Sequence, residues 1–308
     1  MSILPENYYN NVFINCPFDP TYNHLFEAII FSIHDCGFIA RCAREEDDSG
    51  NVRIIKIMKI IDDCKFGIHD ISKADLDLST NLARFNMPLE LGLFMGAQRY
   101  AHKKDHNKEK KSLIMDMEQY RYQKFISDLS GQDIISHSNS SQAAIAYIRD
   151  FLYNNSRRKS IASGEYIANR FESFKTELPK YCEELHWNRN SLTFIGYAAC
   201  VTELPRLSLS DEDLNKVVIE AVSKHNPSGF EFNNITNNIG ETLISKKIGF
   251  VLESDTTYKP VLERADIARI RQIIWDFIIL RHLTIGDYYR DEWPHMSITQ
   301  EGRKFFGI

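Results

Sequence analysis

Short apolar runs alternate with helical patterns through the first 120 residues, and this rhythm is the feature that most constrains the fold. The apolar runs lie at 12–16, 38–43, 66–71 and 112–117. Residues 22–36 and 53–64 carry apolar side chains at the three- and four-residue spacing of a helix with one buried face. Strands that alternate with helices form parallel sheets with crossover connections. The pattern predicts an α/β domain with a parallel sheet and flanking helices.

A further helix is predicted after the third strand, and it carries Glu90. Asn86 or Met87 is expected at its N-cap, so Pro88 falls in the first turn, where its missing N–H costs nothing. The polar stretch 72–81 that precedes it is predicted as a long crossing. Beyond the fourth strand the pattern is mostly helical up to residue 204.

The pattern changes after Pro205, which marks the predicted boundary between domains 1–205 and 206–308. Helices are predicted at 211–225, 234–245 and 265–280, a hairpin at 283–288 and 293–299, and a terminal helical turn at 300–306. Ser210 is well placed as the N-cap of the first of these helices. A helix followed by a hairpin is the layout of a winged-helix-like α+β domain.

Charge and composition restrict the partners. The chain has 37 Lys+Arg against 42 Asp+Glu, and from Leu207 onward 12 against 15, so DNA binding by the C-terminal module is disfavoured. No run of about 18 apolar residues is present, and the first residues do not read as a secretion signal, so a cytoplasmic protein without membrane contact is expected. Six isolated cysteines are predicted to be small buried side chains.

Several common catalytic motifs are missing from the sequence. It contains no G-x-G-x-x-G, Walker lysine, G-x-S-x-G, H-E-x-x-H or C-x-x-C. The sequence therefore predicts no metal site. The remaining candidates come from topology, because ligands of open α/β sheets bind beyond the carboxyl ends of the strands. The residues expected at that edge are Asn15, Phe18, Asp19, Arg44, His69, Asp70, Arg84, Asn86 and Glu90.

Glu90 is the strongest candidate for a catalytic residue. A carboxylate near a helix N-terminus is favoured in its ionised form by the helix dipole. Beside a sugar it could stabilise or trap the oxocarbenium-like centre that forms as an N-glycosidic bond breaks. The alternative is a capping-box glutamate that satisfies the helix start. Arg44 and Arg84 are either surface charges or contacts to the diphosphate of a substrate. His69 is either a strand-end residue held by hydrogen bonds or a general acid.

Two short segments resemble known families. Residues 12–19, VFINCPFD, resemble the opening strand of TIR-domain proteins. Residues 86–92, NMPLELG, resemble the glutamate helix of bacterial TIR-like NAD-cleaving domains and the E-L-G segment of nucleoside 2-deoxyribosyltransferases. Both families have a flavodoxin-like fold and a glutamate that acts at the anomeric carbon. The resemblance covers roughly residues 10–120.

The resemblance implies specific roles. Glu90 would be the catalytic glutamate, and Asp70 would correspond to the aspartate that deoxyribosyltransferases place near the base. Phe13, Asn15, Phe18 and Asp19 would border the nucleotide pocket, and His69 with Asp70 would line its opposite wall. NAD would be consumed as substrate, so no cofactor is implied. TIR effectors imply an antiviral role, a homo-oligomer, and activation by a protein or a second-messenger nucleotide.

Two other functions remain open at this stage. One is a nucleoside 2-deoxyribosyltransferase of nucleotide salvage. The other is a non-catalytic module that senses a nucleotide or binds a protein through the winged helix. The aromatic residues of that module either form a docking surface or fill a small core; they are Trp275, Phe277, Tyr288, Tyr289 and Trp293.

Overall fold

A computed structural model describes most of the chain, and the ranges are residues 5, 7–45, 50, 52–74, 76–77, 82–158, 161–202, 209–246, 252–253, 260–262, 264–287 and 289–308. The chain divides into two units: the first contains residues 1–156 and 161–201, and the second contains 157–160 and 202–308. The predicted boundary after residue 205 lies outside the described residues, and so does Tyr288.

The first unit is built on a five-stranded parallel sheet. Its strands and a separate antiparallel pair are β1 (Asn11–Asn15), β2 (Ile39–Cys42), β3 (Phe66–Asp70), β4 (Leu76–Asp77), β5 (Leu82–Ala83), β6 (Lys111–Asp116) and β7 (Ile135–Ser136). The order in the sheet is β2-β1-β3-β6-β7. The central strands β1 and β3 are buried throughout, as expected where helices cover both faces. The α/β class and the four predicted strands are confirmed.

Two features of this unit differ from the prediction. The polar stretch after β3 contains the antiparallel pair β4 and β5 in place of a strand-free crossing. The segment after β6 supplies the fifth strand, β7, where only helices were predicted. Both differences involve two-residue strands, which are too short to show a hydrophobic period.

The described residues of the first unit also form the helices α1 (Asn23–Asp35), α2 (Arg53–Asp62), α3 (Asn86–Tyr100), α4 (Ser141–Asn155), α5 (Gly164–Glu184) and α6 (Phe194–Thr202). Helices α1, α4 and α5 pack together, and α2 packs against α3. The side chains of Ser140 and Ser163 cap α4 and α5 by accepting hydrogen bonds from the third residue that follows, each at 3.2 Å. These caps satisfy backbone N–H groups that a helix start leaves free.

The second unit contains the elements α7 (Asp211–Ser223), β8 (Phe230–Glu231), α8 (Phe232–Lys246), β9 (Leu252–Glu253), β10 (Pro260–Val261), α9 (Arg264–Ile279), β11 (Leu283–Ile285), β12 (His295–Ile298) and α10 (Gln300–Phe306). Ser210 caps α7, as predicted, by accepting from the N–H of Asp213 at 3.1 Å. The predicted hairpin is the antiparallel pair β11 and β12, and β12 also pairs with β8. Phe277 is buried in the core of this unit, whereas Tyr289 is exposed.

All six cysteines are free and buried, which confirms their prediction as small core side chains. Burial raises the pKa of the Cys42 thiol to about 12, so it stays protonated at neutral pH. The Cys42 thiol is therefore not poised as a nucleophile, because reactivity requires the thiolate.

Candidate functional site

Asn15, the last residue of β1, connects three elements of the predicted site. Its Nδ2 donates to the carbonyl oxygen of Met87 in the first turn of α3 at 2.7 Å and lies 3.1 Å from Nδ1 of His69 in β3. The side chain is buried. Asn15 therefore holds the start of the helix that carries Glu90 against the edge of the sheet, and it does so from below the protein surface.

His69 is fully enclosed beside Asn15. Because the Asn15 amide donates to Nδ1, the ring proton lies on Nε2. Within the described ranges, Nε2 is buried without a hydrogen-bond partner, and the ring meets Phe94 edge to face with centroids 5.0 Å apart. Burial lowers the pKa of His69 to about 3, so the ring is neutral at pH 7. In this structure His69 is a buried strand-end residue.

The packing around His69 leaves no room at Gly67. An added Cβ at this position would lie 2.6 Å from His69 Nε2 and 2.8 Å from the nearest ring carbon of Phe94. We expect Gly67→Ala to lower the free energy of unfolding by about 1–3 kcal/mol through overpacking, as measured by chemical denaturation. Gly92→Ala in α3 is the matched control, because a Cβ there meets nothing within 4 Å and alanine favours the helix. Equal effects of the two substitutions would contradict this packing.

Phe13 contributes to the core and does not border a pocket. It is 0% exposed and packs with residues of α2 and with Phe94 of α3, whose ring is stacked on it at 6.3 Å. Alternate side chains of a strand face opposite sides of the sheet, and the side on which residue 13 lies is covered by these two helices. The placement of Phe13 at the pocket, implied by the family resemblance, is therefore corrected.

Glu90 is the fifth residue of α3, beyond the position of a capping-box glutamate. The N-cap is Phe85, one residue before the predicted Asn86 or Met87, and no side chain caps this helix. Glu90 is 7% exposed. Among the residues that the structure describes, its carboxylate has neither a hydrogen bond nor an ion pair. The carboxylate is thus not used to satisfy its own helix.

The electrostatics of Glu90 differ from the expectation that the helix dipole favours the ionised form. Burial raises the pKa of Glu90 to about 7, and the charge of Arg53 offsets only part of this rise. The dipole acts within the first turn of a helix, whereas desolvation penalises a buried charge wherever it lies. Both protonation states are populated at neutral pH. A buried acid that titrates near pH 7 is typical of functional sites.

Arg44 lies over the ring of Phe18, and its charge acts on two thiols that the charge of Glu90 also affects. The Arg44 guanidinium is 5.4 Å from the ring centroid of Phe18. Burial is the main reason why the pKa of Cys16 and Cys42 is raised, but the negative charge of Glu90 raises both further and the positive charge of Arg44 lowers both. The charges of Glu90 and Arg44 thus act in opposite directions on the same two thiols at the carboxyl ends of β1 and β2.

Asp19 and Arg84 contact each other at this edge. Arg84 Nη1 donates to Asp19 Oδ2 at 3.3 Å. Burial alone would raise the pKa of Asp19, but hydrogen bonds from Thr21 and the charges of Lys73 and Arg84 lower it. Asp19 therefore presents an ionised carboxylate. Asn86 begins α3 and is exposed.

Asp70 is 0% exposed, and both its oxygens are occupied. Oδ1 accepts from the N–H of Ser72 at 2.8 Å, and Oδ2 accepts from the hydroxyl of Tyr22 and lies 2.9 Å from Nε2 of His137. The N–H of Asn139 donates to Nδ1 of His137 at 3.0 Å, so the proton of this ring lies on Nε2. Asp70 ties the segments after β1, β3 and β7 together and does not open to a pocket.

Tyr22 and His137 are the members of this site that the sequence analysis missed. Tyr22 lies just before α1, and His137 directly follows β7. No motif marks either residue, and β7 is too short to be predicted from a pattern. Their roles become visible only when the strand ends are placed side by side.

A cavity of about 680 Å³ opens beside Phe18 and Arg44. Its remaining lining residues come from the start of α1 and from the segment 189–197. Glu90 does not line this cavity. Of the predicted site residues, Phe18 and Arg44 therefore border open space, whereas Asn15, His69 and Asp70 support the edge from within.

Comparisons with protein-family models, with curated proteins and with solved structures gave no match. In the described ranges, His, Cys, Asp and Glu side chains form no group of three or more that could hold a metal ion. In those ranges also, no helix has the length and apolar character needed to cross a membrane. The functional proposal therefore rests on the residues of this chain.

Proposed function

We propose that the first unit cleaves the N-glycosidic bond of NAD or a related nucleotide, with Glu90 stabilising or trapping the ribosyl cation. The main support is the carboxylate of Glu90, which is buried, unpartnered among the described residues and raised in pKa to about 7. With NAD as substrate, water adds to the ribosyl carbon, and the products are nicotinamide, ADP-ribose and a proton. NAD is consumed, so the proposal includes no cofactor.

The buried position of Glu90 explains how it would accelerate this reaction. As the glycosidic bond breaks, positive charge develops at the anomeric carbon. Burial penalises the lone carboxylate in the resting enzyme, and a positive charge beside it relieves that penalty. The stabilisation is therefore larger in the transition state than in the ground state, which is the condition for catalysis. The ionised form that this role needs is populated at pH 7 and above.

The other residues of the edge have supporting roles in this proposal. Asn15 positions Glu90, because its amide holds the first turn of α3. Phe18 frames the base, and Arg44 and Arg84 contact the diphosphate. Asp70 is a positioning residue, because it joins the segments that follow β1, β3 and β7 and does not itself contact the substrate.

The fold relationship is part of the same proposal. If the five strands of the parallel sheet are numbered 1 to 5 in chain order, their order across the sheet is 2-1-3-4-5. This order supports a flavodoxin-like, TIR-like first unit. In the second unit, α9 directly precedes the hairpin of β11 and β12, which supports a winged-helix-like module that docks a partner. We place the protein among cytoplasmic antiviral effectors that act as homo-oligomers, activated by a protein or a second-messenger nucleotide.

The substitution Glu90→Gln tests the catalytic role. We expect it to lower the rate of NAD cleavage at least ~100-fold, because an amide cannot balance a developing positive charge. The rate is measured by chromatographic separation of nicotinamide and ADP-ribose. Glu118→Gln, which changes an exposed glutamate outside the site, serves as the control and should leave the rate unchanged. A loss of less than about tenfold in Glu90→Gln would contradict the role of this carboxylate.

The same assay separates the other two functions. Incubation with a deoxynucleoside and a free base should give no exchange. Exchange with NAD left intact would identify a deoxyribosyltransferase. No turnover of either substrate over a series of protein concentrations would favour a non-catalytic nucleotide-sensing or protein-interaction module.

A further inference from the structure

The 680 Å³ cavity of the first unit has the size of a small-molecule site and an anion-favouring wall. Asn23 and His24 line it from the first turn of α1, where the positive end of the helix dipole favours an anion. The opposite wall is the segment 189–197, which includes Arg189. This segment lies outside the part of the chain in which the sequence predicted the site.

Two arginines line the cavity, and they differ in their partners. Arg189 Nη2 donates to the two carboxylate oxygens of Glu27 at 2.8 and 2.9 Å. For the Arg44 guanidinium, the described residues provide neither an acidic partner nor a hydrogen-bond acceptor. Glu27 is the single acidic residue of the lining, so the positive charges exceed the negative ones. A guanidinium matches the oxygens of a phosphate, to which it can donate two hydrogen bonds.

Aromatic rings complete the lining. Arg44 lies 5.4 Å from the ring centroid of Phe18 and 6.0 Å from that of Phe26, and the ring of Phe194 follows at 6.2 Å from Phe26. Aromatic side chains stack on nucleic-acid bases of any identity. Phe26 and Phe194 are each 6% exposed, so Phe18, which is half-buried, provides most of the accessible aromatic surface. An aromatic ring beside an arginine suits a ligand that has both a planar base and a phosphate.

We infer that this cavity binds the phosphate-bearing part of a nucleotide, with the phosphate on Arg44 and the base against the aromatic rings. The inference rests on the proposed function and deepens it by naming the substrate class: phosphorylated nucleotides, and not free nucleosides. A nucleoside offers the rings a base but leaves the Arg44 guanidinium without an acceptor.

Binding to the full-length Glu90→Gln variant tests the inference, because this variant does not consume a nucleotide. The probes are AMP, ADP, adenosine and inorganic phosphate, measured by isothermal titration calorimetry. We expect AMP and ADP to bind at least ~10-fold more tightly than adenosine or inorganic phosphate. Arg44→Ala, introduced into the Glu90→Gln variant, should weaken AMP binding ~10- to 100-fold, because it removes the charge-assisted hydrogen bonds to the phosphate. It should leave adenosine binding nearly unchanged, because adenosine has no phosphate.

Three further variants refine the test. Arg44→Lys keeps the charge but not the paired donors, so AMP binding should fall less than in Arg44→Ala. Arg189→Ala should also weaken AMP binding. Arg99→Ala, at an exposed arginine in the last turn of α3, is the control and should leave all affinities unchanged. Circular dichroism of each variant shows that it is folded.

Three results would overturn the inference: adenosine binding as tightly as AMP, inorganic phosphate binding as tightly as AMP, or AMP affinity unaffected by Arg44→Ala. These results are independent of catalysis. Nucleotide binding without cleavage by the wild-type protein would remove the proposed function and keep the site. Cleavage of NAD with an unchanged KM in Arg44→Ala would keep the function and remove the site.

Discussion

Replacing Asp70 by alanine should lower the free energy of unfolding by about 3–5 kcal/mol, the largest effect that we expect from a single substitution at this site. The substitution removes the acceptor of the Tyr22 hydroxyl and of the Ser72 N–H, as well as the carboxylate oxygen that lies 2.9 Å from His137 Nε2. The hydroxyl and the N–H would lose these hydrogen bonds inside the protein, and buried groups without a partner carry their full desolvation cost. Urea denaturation followed by circular dichroism measures the change.

Two comparisons make this result specific. Asp133→Ala removes an exposed carboxylate of the same unit and should change stability by no more than about 0.5 kcal/mol. Tyr22→Phe should lose most of its own effect when it is combined with Asp70→Ala, because both substitutions break the same hydrogen bond. Strict additivity of the two substitutions would show that the bond does not contribute to the folded state.

Replacing Glu90 by glutamine should have the opposite effect and stabilise the protein by about 2–3 kcal/mol at pH 8. In the folded state the pKa of Glu90 is raised from 4.5 to about 7. The folded protein therefore binds the carboxyl proton of Glu90 more strongly than the unfolded protein does. The favourable contribution of the protonated form is complete below pH 4.5 and is lost as the pH rises through 7. Glutamine does not titrate, so the gain should appear between these two pH values.

Thermal and urea denaturation of the two proteins at a series of pH values from 4.5 to 8 measures this gain. The difference in unfolding free energy should be near zero at pH 4.5 and should level off above pH 7. Glu118→Gln, the exposed control, should produce no such pH-dependent difference. A Glu90→Gln protein that is less stable than the wild type at pH 8 would mean that the carboxylate has a stabilising partner.

These two carboxylates show how burial has opposite consequences. Asp70 has partners for both oxygens, so removing it should cost stability. Glu90 has no such partner among the described residues, so the fold should be more stable without its charge. A protein that retains a destabilising charge is trading stability for function. This contrast is the physical reason for assigning chemistry to Glu90 and a positioning role to Asp70.

The sequence by itself determined the elements of the first unit whose hydrophobic pattern is long enough to be read. Strands β1, β2, β3 and β6 and the helices between them follow from local periodicity, because burial of one face requires apolar residues at a regular spacing. Topology then brought Glu90, Arg44 and Phe18 to one edge, since the carboxyl ends of parallel strands lie side by side. Residue types and strand order were sufficient for that step.

Only the tertiary structure decided what each residue at that edge meets. Phe13 is covered by helices, Asp70 by Tyr22 and His137, whereas Arg44 borders a cavity whose second wall lies about 150 positions further along the chain. The pKa of Glu90 was wrongly predicted from its helix position, because desolvation depends on all neighbouring atoms and outweighed the local dipole. Burial and hydrogen-bond pairing are made by residues distant in the sequence, and no local pattern encodes them.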